Sequence, residues 1–226
     1  EKASTNLALQ SEDFTTSWSV ISSTISADAA VAPDGTTTMD RLVVTTASDR
    51  HIIYQLAVSS AGTTNYTFSV YMKDDGAGFG GISFANSDAS YIAVVVDLST
   101  GLVTDTNVGS STGTIVATGC EDVGNGIYRV WISGSLGASV TGFFCPFTSN
   151  AAVPAAWTDG APQYTGVLGE DILIWGAQVE LGTYPTSYIA TTTTAVTRNA
   201  DILIAGDIIT DAAGSGYAEA SSIWTT

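Results

Sequence analysis

The sequence predicts an all-β protein, namely a two-sheet antiparallel β-sandwich of the jelly-roll type. Charged residues make up only 12% of the 226 residues, whereas exposed helices need many charged side chains on their outer faces. Short apolar or alternating runs recur along the chain, with Gly, Asn, Asp and Ser between them. No stretch of twelve residues keeps a convincing 3.6-residue period. These observations together favour strands joined by turns over helices.

Nine runs predict strands because they are short, rich in β-branched or aromatic residues, and separated by turn-forming residues. They are DRLVVTT (40–46), HIIYQLAV (51–58), YTFSVYMK (66–73), GGISFAN (80–86), YIAVVVDL (91–98), TIVATGCEDV (114–123), IYRVWIS (127–133), VTGFFCPF (140–147) and DILIWGAQVE (171–180). The segment 122–126 predicts a hairpin turn, because its Asn-Gly pair tolerates positive φ angles.

The composition changes after Tyr188, where ATTTTAVT (190–197) begins. We therefore expect a binding sandwich over residues 1–189. Residues 190–226 then form a Thr-rich linker followed by an extension, or the start of another domain.

The formal net charge of −16 comes from 22 acidic residues and 6 basic ones. Such a field repels phosphate backbones and anionic lipids, so we expect no nucleic-acid partner and no membrane partner. No apolar run reaches 18 residues, the length that a membrane helix needs. The first ten residues show no charged-then-apolar leader, so we expect a leader that was removed or another export route. The two cysteines, Cys120 and Cys145, form one disulfide or remain free thiols.

Catalytic signals are weak. His51 is the only histidine, so a serine triad would have to use it. The segment 109–113 matches G-x-S-x-G, but a strand-like run follows it where that motif requires a helix. Adjacent acids such as Glu12-Asp13 point to opposite faces of a strand and do not provide the paired carboxylates of a glycosidase. We therefore expect the chain not to be an enzyme.

Strand alternation points to a binding surface. It places Tyr71 beside Lys73 on the polar face of one strand, and Trp131 beside Arg129 on the polar face of another. Sugars present flat C–H faces and hydroxyl edges, so an exposed ring flanked by hydrogen-bonding groups suits them. The alternative for Trp131 is a buried position between the two sheets.

Three further residues complete the predicted ligand set. Trp157 lies in the loop AAWTDGAPQY and is the second candidate ring. His51 and Gln55 are the polar neighbours expected to orient a ligand, although the position of His51 at the start of a strand favours a surface or hydrogen-bonding residue over a ligand contact.

Four stretches together resemble a known module: NLALQSEDFTTSW near the start, VVDLSTGLV (95–103), EDVGNGIYRVWI (121–132) and ILIWGAQVELGTYPTSYI (172–189), followed by VTRNAD. The set is similar to a carbohydrate-binding or concanavalin-like module frequent in phage and prophage tail proteins. W-G-A-Q-x-E…P-T-S-Y is its most specific element. The resemblance implies an extracellular or virion-associated protein whose partner is a polysaccharide or cell-surface glycan.

The opening also resembles jelly-roll carbohydrate-binding modules of xylanases and glucanases, which carry a structural calcium ion. That resemblance places Glu12, Asp40 and Gln178 near a Ca²⁺ site, although those modules usually have Asp where this chain has Gln178. Many loop acids and few bases agree with a hard cation.

The sequence thus predicts a non-catalytic module that binds a polysaccharide, preferably a neutral β-linked glycan, by aromatic stacking in a groove. The alternative is a structural or oligomerisation module of a viral tail or fibre protein that binds no sugar.

Overall fold

The computed structural model describes residues 1–60, 63–86, 90–109, 113–137 and 140–201. Within these residues, no helix has the length and apolar character needed to cross a membrane. The part of the predicted extension after residue 201 lies outside the described residues.

The regular elements of the described residues are all strands. In chain order they are β1 Ser4–Asn6, β2 Ser19–Ile21, β3 Ser23–Ala30, β4 Met39–Val44, β5 Ser48–Asp49, β6 Ile52–Ser60, β7 Tyr66–Asp75, β8 Phe79–Asn86, β9 Tyr91–Asp97, β10 Leu102–Gly109, β11 Thr114–Gly124, β12 Ile127–Ser135, β13 Val140–Ser149, β14 Trp157–Thr158, β15 Ala161–Pro162, β16 Tyr164–Thr165, β17 Asp171–Leu181 and β18 Val196–Arg198.

Two six-stranded antiparallel sheets form the body of the protein. The first sheet has the order β10-β9-β8-β13-β6-β2, and the second has the order β11-β12-β7-β17-β4-β3. Three two-stranded pairs, β1-β18, β14-β15 and β16-β5, lie outside them. The predicted all-β sandwich is therefore confirmed.

The main core lies between the sheets and follows the two-residue alternation of the strands. Phe68, Val70 and Met72 of β7 point inward and belong to the same buried cluster as Ile92 and Val94 of β9. None of these five side chains is more than 2% exposed. Burial of this apolar surface, at about 25 cal/mol per Å², is the main source of the sandwich's stability.

All nine predicted runs overlap strands of the two sheets. The predicted hairpin joins β11 to β12, and Asn125 and Gly126 have φ angles of 57° and 71°. The cysteines are both free, with Cys145 buried and Cys120 half-buried.

A β-bulge in β17 changes which side chains face outward. The pairing of β17 with β7 shifts between Trp175 and Gln178, and Gly176 has a φ of 64°. The extra residue places Ala177 in the main core. Trp175, Gln178 and Glu180 consequently share the outer face of the second sheet, which regular alternation would not allow.

Each sheet has its outer face partly covered by a segment of irregular chain. Residues 182–191, here called the strap, lie over the second sheet. Residues 150–166, here called the cover loop, lie over the first sheet and contain β14, β15 and β16. Beyond the strap, β18 pairs with β1, so residues 196–198 contact the sandwich. The domain boundary between residues 189 and 190 stays a prediction.

Candidate functional site

Tyr71 and Trp131 lie on the outer face of the second sheet, on the side that strand alternation predicts. In the pairing of β12 with β7, Arg129 is opposite Tyr71 and Trp131 is opposite Ser69. The expected exposure of the two rings is wrong, because Tyr71 is 9% and Trp131 only 7% exposed. They are buried beneath the strap rather than between the sheets. Their assignment to ligand binding stays a prediction.

The strap is fixed to the sheet by a buried carboxylate. Glu180, which is fully buried, accepts hydrogen bonds from the backbone N–H of Thr186 at 2.8 Å and from its hydroxyl at 2.9 Å. The Gln178 amide donates to the same carboxylate at 2.7 Å, and the Ser4 hydroxyl also donates to it. Gln178 in turn accepts the backbone N–H of Ile189 at 2.7 Å. Every polar group of this clamp is therefore satisfied.

Aromatic rings pack beneath the C-terminal half of the strap. The ring centroids of Trp175 and Tyr188 are 4.7 Å apart, and those of Tyr71 and Trp175 are 5.3 Å apart. The Trp175 indole donates to the Thr38 hydroxyl at 3.0 Å. Burial raises the pKa values of both Tyr71 and Tyr188, so both phenols stay neutral. These rings are therefore largely closed off from solvent beneath the strap.

Trp131 lies at the more open end of the strap. Its indole occupies the space above Gly119 of β11, where an added Cβ would come within 2.4 Å of the indole nitrogen. The ring of Tyr184 lies 5.4 Å from the indole, centroid to centroid, and Tyr184 is 63% exposed. The indole N–H is buried and has no hydrogen-bond partner within the described part of the chain.

Arg129 lies beside Trp131 on the same face and is only 7% exposed. Its Nη2 donates to the Thr186 carbonyl at 2.8 Å and to the Ser69 hydroxyl at 3.1 Å. The guanidinium carbon stands 5.5 Å from the centre of the Tyr71 ring. Among the described residues, its Nε–H has no partner.

The other predicted ligand residues do not join this group. Lys73 is half-buried further along β7, whereas His51, Gln55 and Trp157 belong to the first sheet or its cover loop. The His51 ring contacts the Ser22 carbonyl through Nδ1 at 2.6 Å, and it packs 4.8 Å from Tyr164. Both residues are buried.

Gln55 and Trp157 also have structural contacts. The Gln55 side chain bonds the backbone N–H and carbonyl of Leu9, at 2.8 and 2.9 Å, and so holds the N-terminal segment. Trp157 is half-buried and stacks on Tyr91, with centroids 6.1 Å apart and planes at 17°. The predicted ligand set is thus divided between the two sheets.

Glu12 and Asp40, two of the three predicted calcium ligands, line one cavity of about 530 Å³. Asp13 and Asp28 also line it. Burial raises the pKa of Asp40, whereas hydrogen bonds led by that from the Thr15 hydroxyl lower the pKa of Asp13.

The three predicted residues do not fit one calcium site. Both Asp40 oxygens already accept backbone N–H groups, from Phe14 at 2.9 Å and from Asp28 at 3.0 Å. Gln178 is held in the strap clamp. In the described ranges, no three His, Cys, Asp or Glu side chains form a group that could hold a metal ion. Calcium therefore stays a prediction without a site at these residues.

Sequence reasoning missed Tyr184 and Gly119, which complete the surroundings of Trp131. Neither residue belongs to an alternating aromatic pattern. Tyr184 is in the strap, and the role of Gly119 depends on which strand pairs with β12. Only the W-G-A-Q-x-E…P-T-S-Y element pointed to this region.

The fold of this chain has a distant structural neighbour among solved structures. No protein-family model and no curated protein matches the sequence. A crystal structure of the enzymatically active domain of bacteriophage CBA120 tailspike protein 4 matches with a TM-score of 0.44 and 12% sequence identity. The match covers 78% of this chain and 21% of the tailspike chain. This chain therefore corresponds to about a fifth of that protein's length.

That neighbour is a phage tailspike protein, the general class named by the sequence resemblance. It is also described as enzymatically active. This finding contradicts the expectation that the chain is not an enzyme, and we no longer hold that expectation.

Proposed function

We propose that the chain binds a glycan on the outer face of the second sheet, with one sugar ring held by Trp131 and Tyr184. The main support is the indole of Trp131. Its N–H lacks an acceptor in the described residues, and the Tyr184 ring that packs on it is 63% exposed. In this proposal the Tyr184 side chain turns aside, and the sugar ring then lies against the indole. The proposed setting is an extracellular or virion-associated protein.

The chemical groups around Trp131 suit a sugar. A sugar ring offers C–H groups to the two aromatic faces and hydroxyl oxygens to the indole N–H. A stacked contact contributes about 1 kcal/mol beyond area burial, and exchanging water for sugar hydroxyls gains little more. We therefore expect dissociation constants between about micromolar and millimolar.

The test is affinity electrophoresis through gels that contain bacterial surface polysaccharides, followed by a glycan array. We expect Trp131→Ala to lose retardation and Trp131→Phe, which keeps a ring without the N–H, to retain part of it. Trp157→Ala is the matched control, because it removes a half-buried indole from the cover loop over the first sheet. Thermal unfolding of each variant separates lost binding from lost folding.

Unchanged retardation of a folded Trp131→Ala protein would refute this site. Retardation lost only in Trp157→Ala would place the glycan on the first sheet instead. There, Tyr54 and Phe143 are half-buried with centroids 5.6 Å apart.

A structural role in a tail or fibre is the second candidate. The outer edge strands of the two sheets, β10 and β11, carry exposed apolar side chains, namely Leu102, Val103, Val108, Val116 and Val123. Unpaired strand edges favour association with other chains. Light scattering after size exclusion tests this role: a stable oligomer that binds no polysaccharide supports it, and a monomer that is retarded by glycans refutes it.

A further inference from the structure

Arg129 differs from the other three arginines in lacking a carboxylate partner. Arg41 pairs with Asp75, Arg50 with Asp159 and Arg198 with Glu1. These three lie at least partly in solvent, where an ion pair contributes little. Arg129, by contrast, is only 7% exposed. No carboxylate of the described residues forms a salt bridge with it.

The surroundings of Arg129 satisfy only part of the guanidinium. Neutral oxygens of Ser69 and Thr186 accept from Nη2, and the Tyr71 ring provides a cation–π contact. The Nε–H faces no acceptor in the described part of the chain. The buried carboxylate of Glu180 is linked to Arg129 only through Thr186, whose carbonyl accepts from the guanidinium and whose N–H donates to Glu180. A buried cation without a direct counter-ion is unfavourable, and an anionic ligand would offset this cost.

We infer that the bound glycan carries a carboxylate and that Arg129 recognises it. This inference rests on the proposed function and names its ligand class. The Nε–H donates to a carboxylate oxygen, while Nη2 keeps its bonds to the strap and to β7. The sugar ring that bears the carboxylate, or its neighbour, lies against Trp131.

The charge of the whole chain favours a singly charged group. At a net charge of −16, the protein repels anions at long range, so a carboxylate is preferred over a dianionic phosphate. Short-range contact with a buried guanidinium overcomes this repulsion because the local dielectric is low.

Glu121 is a carboxylate on the strand next to Arg129. It is directly opposite Arg129 in the pairing of β11 with β12, and it is exposed. A ligand carboxylate at Arg129 therefore approaches a like charge. Removing that charge in Glu121→Gln should strengthen binding of acidic glycans.

The experiment uses an array of uronate- and sialate-containing polysaccharides printed beside their carboxyl-reduced forms and beside neutral polysaccharides. We expect wild type to bind at least one acidic polymer about tenfold more tightly than its reduced form, since a charged hydrogen bond contributes about 1.5 kcal/mol or more. Arg129→Gln should remove this preference, and Glu121→Gln should raise affinity about twofold. Because salt screens the long-range repulsion more than the buried contact, binding should not weaken as salt increases.

The possible outcomes distinguish failure of the carboxylate inference from failure of the proposed glycan site. Equal binding of native and carboxyl-reduced polymers, lost in Trp131→Ala, overturns the carboxylate and keeps the glycan site. Binding of neutral polymers alone also overturns the carboxylate and keeps the glycan site. Absence of binding to every polysaccharide overturns both. If Arg129→Gln fails to fold, Arg129→Lys replaces it in the test, because it keeps the positive charge and loses the Nε–H. A preference for acidic polymers that is fully retained in Arg129→Lys contradicts the proposed role of Nε.

Discussion

The strap and the cover loop both cover the outer face of a sheet, but different interactions hold them. The strap is held by hydrogen bonds to buried polar side chains, with Glu180 at their centre. At the centre of the cover loop the contacts are apolar, since Trp157 packs on Tyr91 and Phe147 and Ala161 joins their cluster. Polar contacts fix its flanks, namely the Arg50–Asp159 ion pair and the hydrogen bond between the Thr148 and Tyr164 hydroxyls.

This difference changes what a single substitution does. Apolar contacts are lost in proportion to the area removed. A buried hydrogen-bond network fails more abruptly, because removing its acceptor leaves several donors buried without partners. The strap should therefore respond to one residue, whereas the cover loop should weaken gradually.

The largest effect is expected for Glu180→Ala. The substitution leaves the Thr186 N–H, the Thr186 hydroxyl and the Ser4 hydroxyl without their acceptor. At 1 to 3 kcal/mol for each unsatisfied group, we expect a loss of about 4 kcal/mol in the free energy of unfolding. Urea titration followed by tryptophan fluorescence measures it.

Glu121→Ala is the control for Glu180→Ala, because it removes an exposed carboxylate from the same sheet and should change stability by less than about 0.5 kcal/mol. A loss below about 1 kcal/mol in Glu180→Ala would show that the strap does not depend on this clamp.

Gly176→Ala tests whether the bulge in β17 is required beneath the strap. The residue has a φ of 64°, and an added Cβ would lie 2.9 Å from the Tyr71 ring. Gly124→Ala is the matched control, because its φ is 91° with nothing within 4 Å of the added Cβ. Both variants bear a backbone cost of about 1 kcal/mol.

The contact with Tyr71 should cost Gly176→Ala about 1 to 2 kcal/mol more than the control. Thermal unfolding of the two proteins gives this difference. Equal losses would mean that the Tyr71 ring moves aside without cost.

Strand identity and strand faces were predictable because both depend on local alternation. The run YTFSVYMK correctly placed Phe68 and Val70 inward and Tyr71 outward. Exposure was not predictable, because it depends on a segment more than fifty residues away from Trp131. The strap has no periodic pattern, and its position is set by Glu180 and Thr186.

The candidate site was predictable only in part for the same reason. Trp131 and Arg129 share the predicted face, but Gly119 and Tyr184 approach them from other segments. The bulge at Gly176 also resets the alternation of β17. The element W-G-A-Q-x-E…P-T-S-Y therefore combines a bulge, the clamp residues Gln178 and Glu180, and their strap partner Thr186.

The smallest expected effect is a change in the alkylation rate of Cys145 when the cover loop is weakened. Cys145 lies beneath this loop, in the same buried cluster as Ala161. Burial raises the pKa of Cys145 to about 11, so at pH 8 the folded protein holds little reactive thiolate. We expect slow alkylation by iodoacetamide in wild type and a several-fold faster rate in Trp157→Ala. Mass spectrometry of the modified peptide measures the rate.

The strap clamp provides the control for this experiment. Under conditions where the sandwich stays folded, Glu180→Ala should leave the alkylation rate of Cys145 unchanged, because the clamp covers the opposite sheet. Equal acceleration in both variants would mean that the two covers open together with the sandwich. The comparison between an abrupt polar clamp and a gradual apolar cover would then fail, since the two would belong to one cooperative unit.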